Sequence, residues 1–267
     1  MLGMAADGFL IEPGRLVVDR AQVVFPFQHP GLLKIAVLTD LHVGSPHNGI
    51  DNLKRVVDLT NAQQPDIVCI LGDLVIQGVR GGKFVPPEDS AAVLKTLKSS
   101  YGTFAVLGNH DVWLDHARVA KSLESNGIDV IEDTAARVDT SAGALWLVGV
   151  GDYMTGRAKV ATGMAHVTDE APVVILTHNP DVFAEVPKRV SLTLAGHTHG
   201  GQVRLPFNWT PIVPSIYGER YAAGYVVEDG RRMYVSTGVG TSIIPVRFRV
   251  PPSITILTLV TNSVPIQ

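Results

Sequence analysis

Five short apolar runs, each ending in a cluster of Gly, Asp, Asn or His, constrain this chain more than any other feature of its sequence. Residues 32–39 (LLKIAVLT) lead into Asp40, residues 66–71 (DIVCIL) into Gly72-Asp73, and residues 103–107 (TFAVL) into Gly108-Asn109-His110-Asp111. Residues 173–177 (VVILT) lead into His178, and residues 190–195 (VSLTLA) into Gly196-His197-Thr198-His199. Runs this short, β-branched and continuously apolar predict strands buried on both faces. Helical spacing separates the first three runs. Ile50, Leu53 and Val57 precede Pro65; Val93, Leu94 and Leu97 precede Tyr101-Gly102; Val119, Ala120 and Leu123 precede Asn126-Gly127. Strand–helix alternation predicts a largely parallel sheet with its polar groups at the strands' C-terminal ends, where open α/β sheets bind ligands.

The texture changes after residue 130. Residues 136–140 and 144–150, split by Ser141-Ala142-Gly143, read as a hairpin, as do residues 225–228 and 233–237 around Asp229-Gly230-Arg231-Arg232. Residues 253–260 read as a final strand. A β-rich second half joined without linker, repeat or low-complexity segment to an α/β first half predicts two sheets packed face to face in one domain over residues 1–267. Two long Gly/Pro-rich segments, 76–87 and 200–218, directly follow polar clusters. Loops of that length in a compact domain are usually functional or disordered.

Composition narrows the class. A chain of 267 residues, 46% hydrophobic and 18% charged, buries a sizeable core. A formal charge of −3 argues against a dedicated nucleic-acid surface. The single cysteine, Cys69, allows neither an internal disulfide nor a Cys-rich zinc site, so nothing marks the chain as secreted. The mean hydropathy is +0.22, yet no apolar run approaches the ~20 residues of a spanning helix, and no basic-then-apolar leader is visible. The expectation is a cytoplasmic enzyme, with peripheral membrane contact allowed and oligomeric state open.

Five of the nine histidines, His42, His110, His178, His197 and His199, lie in the strand-end clusters with Asp40, Asp73, Asn109 and Asp111. Asp40-x-His42 and His197-x-His199 place two ligands at i and i+2, which an extended backbone projects to one side. Gly72, Gly108 and Gly196 immediately precede polar residues, where a missing Cβ lets the chain turn sharply or approach an ion. Taken singly, each piece is ordinary: Gly72-Asp73 a turn, Asn109 a turn residue, His178 a buried hydrogen-bonded histidine. Together, and all at strand ends, they read as a metal site. Imidazole and carboxylate ligands without thiolate suit Zn, Fe, Mn, Ni or Co better than Mg or Ca.

Asp40-x-His42, Gly72-Asp73, Gly108-Asn109-His110-Asp111, His178 and Gly196-His197-Thr198-His199 resemble the five ordered motifs of the calcineurin-like metallophosphoesterases. The resemblance covers roughly residues 33–260. Gly200-Gly201-Gln202-Val203-Arg204-Leu205-Pro206, the segment 234–240 (YVSTGVG), Pro245-x-Arg247 and Pro251-Pro252 resemble a narrower bacterial branch, the YkuE/YaeI-type phosphodiesterases. That branch is often anchored in a membrane at its N-terminus, and no such anchor is visible here. The resemblance implies a four-layer α/β/β/α sandwich, two mixed β-sheets flanked by helices, with its metals at one edge. It implies two divalent transition-metal ions (Mn, Zn, Fe, Ni or Co). Asp40, His42 and His199 would hold one, Asn109, His178 and His197 the other, and Asp73 would bridge both. Four metal charges less two carboxylates and a bridging hydroxide leave a cationic site, and ions ~3.5–4 Å apart suit in-line attack on a phosphate ester. By the same resemblance His110 sits beside the leaving group as acid or charge stabiliser, which an imidazole with pKa ~6.5 suits. Asp111 either orients His110 or caps a helix.

Weaker candidates flank these. Arg80, Lys83, Arg204 and Arg220 lie on or near the long loops as possible phosphate contacts, with solvated surface charge the favoured alternative. Phe207, Trp209, Tyr217 and Tyr221 form an aromatic wall or simply pack a loop. His29, His47, His116 and His166 have no supporting neighbours and read as surface residues, and Cys69 reads as core. The function implied is metal-dependent hydrolysis of phosphodiesters, monoesters being secondary, on a small-molecule or lipid phosphoester. The first rival is a pyrophosphatase of UDP-diacylglucosamine type, which apolar walls from residues 203–217 would favour. The second is a catalytically silent metal-binding scaffold, against which the complete ligand set and His110 argue.

Overall fold

The computed structural model describes residues 6–261. Strands β1 (Val17–Val24), β2 (Leu32–Leu38), β3 (Ile67–Leu71), β4 (Thr103–Val106), β5 (Asp129–Val130) and the last strand, β12 (Ser253–Val260), form one sheet in the order β1-β12-β2-β3-β4-β5. Only the β12–β2 pairing in it is antiparallel. Strands β6 (Ala135–Thr140), β7 (Gly143–Val150), β8 (Val173–Thr177), β9 (Leu192–Ala195), β10 (Gly224–Glu228) and β11 (Arg231–Val235) form the second, in the order β10-β11-β9-β8-β7-β6. Its two hairpins, β6–β7 and β10–β11, are the two the sequence predicts, and β7, β8, β9 and β11 run parallel.

Period-two alternation sorts each buried strand between two cores. Leu33, Ile35 and Val37 on β2, with Ile67, Cys69 and Leu71 on β3, face the second sheet and meet Leu145, Leu147, Val174, Leu176, Leu192 and Leu194 there. Ala36, Leu38, Val68 and Ile70 face the other way, onto helices α1 (Ile50–Ala62), α2 (Pro87–Leu94) and α3 (Asn109–Glu124). Cys69 is therefore fully buried core, and desolvation pushes its thiol far above the usual range. Helix α1 buries Leu53, Val56, Val57 and Thr60, an i, i+3, i+4, i+7 stripe. Helix α2 starts at Pro87 and ends at Leu94, so Leu97 lies in the turn after it. Helix α3 opens directly after β4 and is broken at Asp115, whose extended backbone (φ −178°, ψ 98°) lets its carboxylate accept the N–H of Arg118 and restart the helix.

The expected four layers are present, with a slight fourth. The outer face of the second sheet is covered by the five-residue helix α4 (Val160–Met164), a 3₁₀ turn at Pro180–Glu185 and the ring of Tyr221, packed on Trp146, Val148, Ile175 and Met233. Strand β1 lies outside the expected core of 33–260. Asp19, Arg20 and Gln22 break up its apolar pattern because it is an edge strand, paired only with β12. The C-terminal ends of β2, β3, β4, β8 and β9 converge on one edge of the sandwich, bringing all five polar clusters together.

Candidate metal centre

The ligand-bearing turns are tightly folded. Asp40 (φ 51°), His42 (39°), Asp73 (53°), His197 (70°) and His199 (52°) all adopt left-handed backbone, costing on the order of 1–3 kcal/mol each for non-glycine residues. The i, i+2 argument for Asp40-x-His42 and His197-x-His199 is thereby corrected: the chain has left its strand, and left-handed turns do the aiming. Backbone bonds hold these turns together, Asp40 N–H to Gly72 O (3.0 Å) and His42 N–H to Asp73 O (2.9 Å). The glycines serve mutual approach. A Cβ on Gly108 would strike Asp73 Oδ1, and one on Gly196 would strike Thr39 Oγ1 and Asp40 Oδ2.

The side chains gather into three overlapping groups, Asp40 with His42 and His199, Asp73 with His178 and His197, and His42 with Asp73 and His110; the first two match the expected division. In the first, His42 Nε2 lies 3.1 Å from His199 Nε2, and His199 Nε2 lies 3.3 Å from Asp40 Oδ1. In the second, His178 Nε2 lies 3.1 Å from His197 Nδ1. Asp73 Oδ2 is 3.5 Å from His42 Nε2 and 3.3 Å from His178 Nε2, so one oxygen belongs to both. Donor atoms ~2.1 Å from one ion and 90–109° apart stand roughly 3.0–3.4 Å from each other. Four of the five separations, at 3.1–3.3 Å, fit that spacing, and Asp73 Oδ2 to His42 Nε2 lies just beyond it at 3.5 Å. Asp40 Oδ1 and Asn109 Oδ1 are buried without hydrogen-bond partners among the described residues, acceptors that a cation would satisfy. The residues fit divalent metal ions.

Other contacts fix the orientation of Asp40, His178 and His42. Asp40 Oδ2 accepts from Thr39 Oγ1 and from the His197 N–H, both at 2.9 Å. His178 Nδ1 bonds Leu71 O at 2.7 Å, and His42 Nδ1 bonds Val75 O at 3.1 Å, leaving each Nε2 for the centre. Burial drives the electrostatics: it pushes Asp40 up to about 6 and pulls His42 down to about 4 and His197 to about 3. Burial opposes charge on Asp73 and His178 too, but their mutual attraction wins, holding Asp73 well below and His178 well above its ordinary range.

His110 Nε2 lies 4.0 Å from Asp73 Oδ2, its ring packs edge-on to His42 at 4.8 Å and against Trp113 at 5.2 Å, and burial lowers its pKa. Asp111 is spent on the backbone: Oδ1 accepts from Leu74 N–H (2.9 Å) and Val75 N–H (3.2 Å), Oδ2 from Gly108 N–H (3.0 Å). The helix-cap alternative thus describes its bonds, and it ties the Asp73 turn to the start of α3. Burial, then the nearby Asp73, push it up to about 7.

A cavity of about 760 Å³ opens over the centre, with Asp73, Asn109, His110, His197 and His199 in its floor. Both long loops contribute walls, through Gln77 and Gly78 and through residues 201–214. None of the four candidate cations lines it. Arg80 and Lys83 are exposed on their loop, Arg204 lines a separate cavity of about 400 Å³, and Arg220 pairs with Glu228. Tyr217 and Tyr221 pack at 4.7 Å with their rings tilted by 44° and hold the loop down, while Phe207 and Trp209 are exposed outside the cavity. His116 is half-buried and bonded to Glu132 rather than free at the surface, whereas His29, His47 and His166 are exposed.

The sequence argument gave two residues no place in the site, Arg247, cited only within a motif, and Asp152. Arg247 is fully buried, donating to the carbonyls of Thr237, Gly238, Gly240 and Val250, with Nη2 3.4 Å from His199 Nδ1. Burial pulls its pKa down to about 10. Asp152, also buried, follows β7 and acts electrostatically on His110 and His178. Gly151-Asp152 after an apolar strand repeats the Gly72-Asp73 signature and was the available signal.

Among the described residues no helix is long and apolar enough to cross a membrane. The calcineurin-like phosphoesterase family profile matches residues 33–201. The chain is 32% identical over 255 residues to the phosphodiesterase YaeI of Escherichia coli, covering 93% of this chain and 90% of that protein. It is 29% identical over 229 residues to the metallophosphoesterase YkuE of Bacillus subtilis, covering 85% and 78%. Among solved structures, the phosphopantetheinyl hydrolase PptH of Mycobacterium tuberculosis superposes with a TM-score of 0.48 at 13% identity, over 77% of this chain and 90% of that one. With its five motifs gathered at one edge and the profile spanning them, the chain belongs to the calcineurin-like phosphoesterase family and is a metal-dependent phosphoester hydrolase.

Proposed function

We propose that this chain hydrolyses phosphodiesters at a two-metal centre, Asp40, His42 and His199 serving one position, Asn109, His178 and His197 the other, and Asp73 both. The observation that carries this reading is the single oxygen, Asp73 Oδ2, within 3.3–3.5 Å of a ring nitrogen from each group. When bound, such ions supply Lewis acidity toward the phosphoryl oxygens and an activated water for in-line attack. The donor set suits Mn, Fe, Co, Ni or Zn.

The chain's own residues do the rest. His110 is fixed to the centre by its peptide N–H, bonded to Asp73 Oδ1, while its ring faces the cavity. Placed there, Nε2 gives a proton to the departing oxygen or stabilises charge on the phosphoryl group. Asp111 holds the turn that carries Asp73, and Arg247 holds the 237–240 loop, whose N–H groups bond Thr39 O and Asp40 O, with Nη2 beside His199 Nδ1. A preference for diesters follows from charge: among the described residues no Lys or Arg lines the cavity, so a monoanion is better matched than the dianion of a monoester. The name of the relative YaeI, a phosphodiesterase, supports the same preference.

The test is turnover of bis(p-nitrophenyl) phosphate against p-nitrophenyl phosphate by protein stripped with EDTA and reloaded with Mn, Co, Ni or Zn. Higher kcat/KM on the diester, with two ions bound per chain, is the expected result. Full activity in the stripped protein, or a preference for the monoester, rejects the reading.

A further inference from the structure

We infer that the substrate's second ester arm is an alkyl or acyl chain, bound in the cavity above the metals. This rests on the phosphodiesterase reading and adds the chemical class of the arm. The cavity floor is the centre itself, so a phosphodiester seated there must project one arm between the walls. Those walls are apolar: Val203, Pro211 and Ile212 come from one loop, Ile243, Ile244 and Val246 from another. Ile212 and Ile243 are 77% and 71% exposed. Large apolar side chains clustered around a functional cleft mark a surface that is covered in use.

Two of the polar side chains that could recognise a nucleoside or sugar are committed. The Gln202 side chain accepts from Ser242 N–H at 2.7 Å and donates to the carbonyls of Ser242 and Ile244 at 3.2 and 3.3 Å. Thr198 Oγ1 donates to Ala222 O at 2.6 Å. With no Lys or Arg in the lining among the described residues, a second phosphate on the arm would find no counter-charge. Of the two halves of the nucleotide–lipid pyrophosphatase expectation, the lining favours the lipid and opposes the nucleotide. A volume of about 760 Å³ holds a flexible chain with the phosphoryl group at its base.

The experiment is a series of alkyl p-nitrophenyl phosphates, methyl to octyl, kept monomeric and assayed with the metal-loaded full chain. If each methylene enters the cavity, kcat/KM rises about two- to fourfold per carbon until the chain outgrows it. Ile212→Asp and Ile243→Asp, at exposed positions that do not threaten folding, should cut the octyl-to-methyl ratio at least fivefold. A binding measurement stands apart from turnover: octyl phosphate should bind the loaded protein far more tightly than methyl phosphate, with a negative heat-capacity change. A flat or falling series, equal affinities for the two phosphates, or faster turnover of thymidine 5′-(p-nitrophenyl) phosphate than of the octyl diester overturns the inference. Failure to hydrolyse any diester, with chain-dependent binding intact, would sink the phosphodiesterase reading alone. Dioleoyl phosphatidylglycerol in vesicles separates the sources: turnover there too assigns a bilayer lipid, turnover of the monomeric series alone a dispersed amphiphile.

Discussion

Asp73 and His110 are joined twice over: Oδ1 of the carboxylate accepts the peptide N–H of His110 at 2.9 Å, while Oδ2 lies 4.0 Å from that residue's ring. One side chain thus lies at the proposed shared ligand position and sets the place of the proposed acid. Asp73→Asn is therefore expected to be the most damaging single ligand change, with both ions lost by elemental analysis. His42→Ala should empty mainly the position it shares with Asp40 and His199. Normal occupancy in the Asp73 variant would refute the bridging assignment.

His110→Ala should keep both metals and lose ~10²–10⁴-fold in turnover. A leaving-group series separates its roles. Proton donation makes alkoxide leaving groups suffer far more than p-nitrophenolate; charge stabilisation affects all about equally. Loss of one ion per chain would make His110 a ligand instead.

Gly108→Ala should remove metal without replacing any proposed ligand, because the new methyl displaces Asp73 Oδ1. Overpacking of this kind costs roughly 1–3 kcal/mol. The check is metal content alongside circular dichroism: a folded variant with reduced occupancy is expected, and full occupancy would contradict the close approach.

Arg247→Met should destabilise the protein whether or not metal is present. Its guanidinium satisfies four backbone carbonyls in a fully buried site, and Met leaves them unpaired. A loss of about 3 kcal/mol corresponds to a fall of roughly 6–12 °C in Tm for a chain this size. Arg247→Lys, with three donors and no planar fork, should recover only part. A melt in EDTA that matches wild type would show the cage to be dispensable.

The clustering of the proposed ligands was legible because Asp, Asn and His are chemically conspicuous at the ends of apolar runs, and the runs themselves were set by burial on two faces. What the runs could not reveal was how the chain travels after leaving a strand. The left-handed turns at Asp40 and His199, and the role of Gly196 in admitting Thr39, depend on contacts between motifs over 150 residues apart. Arg80, Lys83, Arg204 and Arg220 were chosen by proximity in sequence, whereas their loops turn them away from the cavity lining. Residues 242–246 and Arg247 supply a wall and a buried brace from a segment with no metal-binding chemistry of its own. Strand β1 escaped because an edge strand need not be continuously apolar.

The position of β12 governs how the molecule can be made. The final strand of the fold is an interior one, lying between β1 and β2. During synthesis those two strands emerge first and must wait, β1 without its strand partner and β2 with one side open, until more than 200 further residues have left the ribosome. The loops holding Gly238, Gly240 and Arg247 arrive just before that closing strand, so the brace behind Asp40 and His199 is completed last. Shortening the chain into β12 accordingly opens the middle of a sheet rather than trimming its edge.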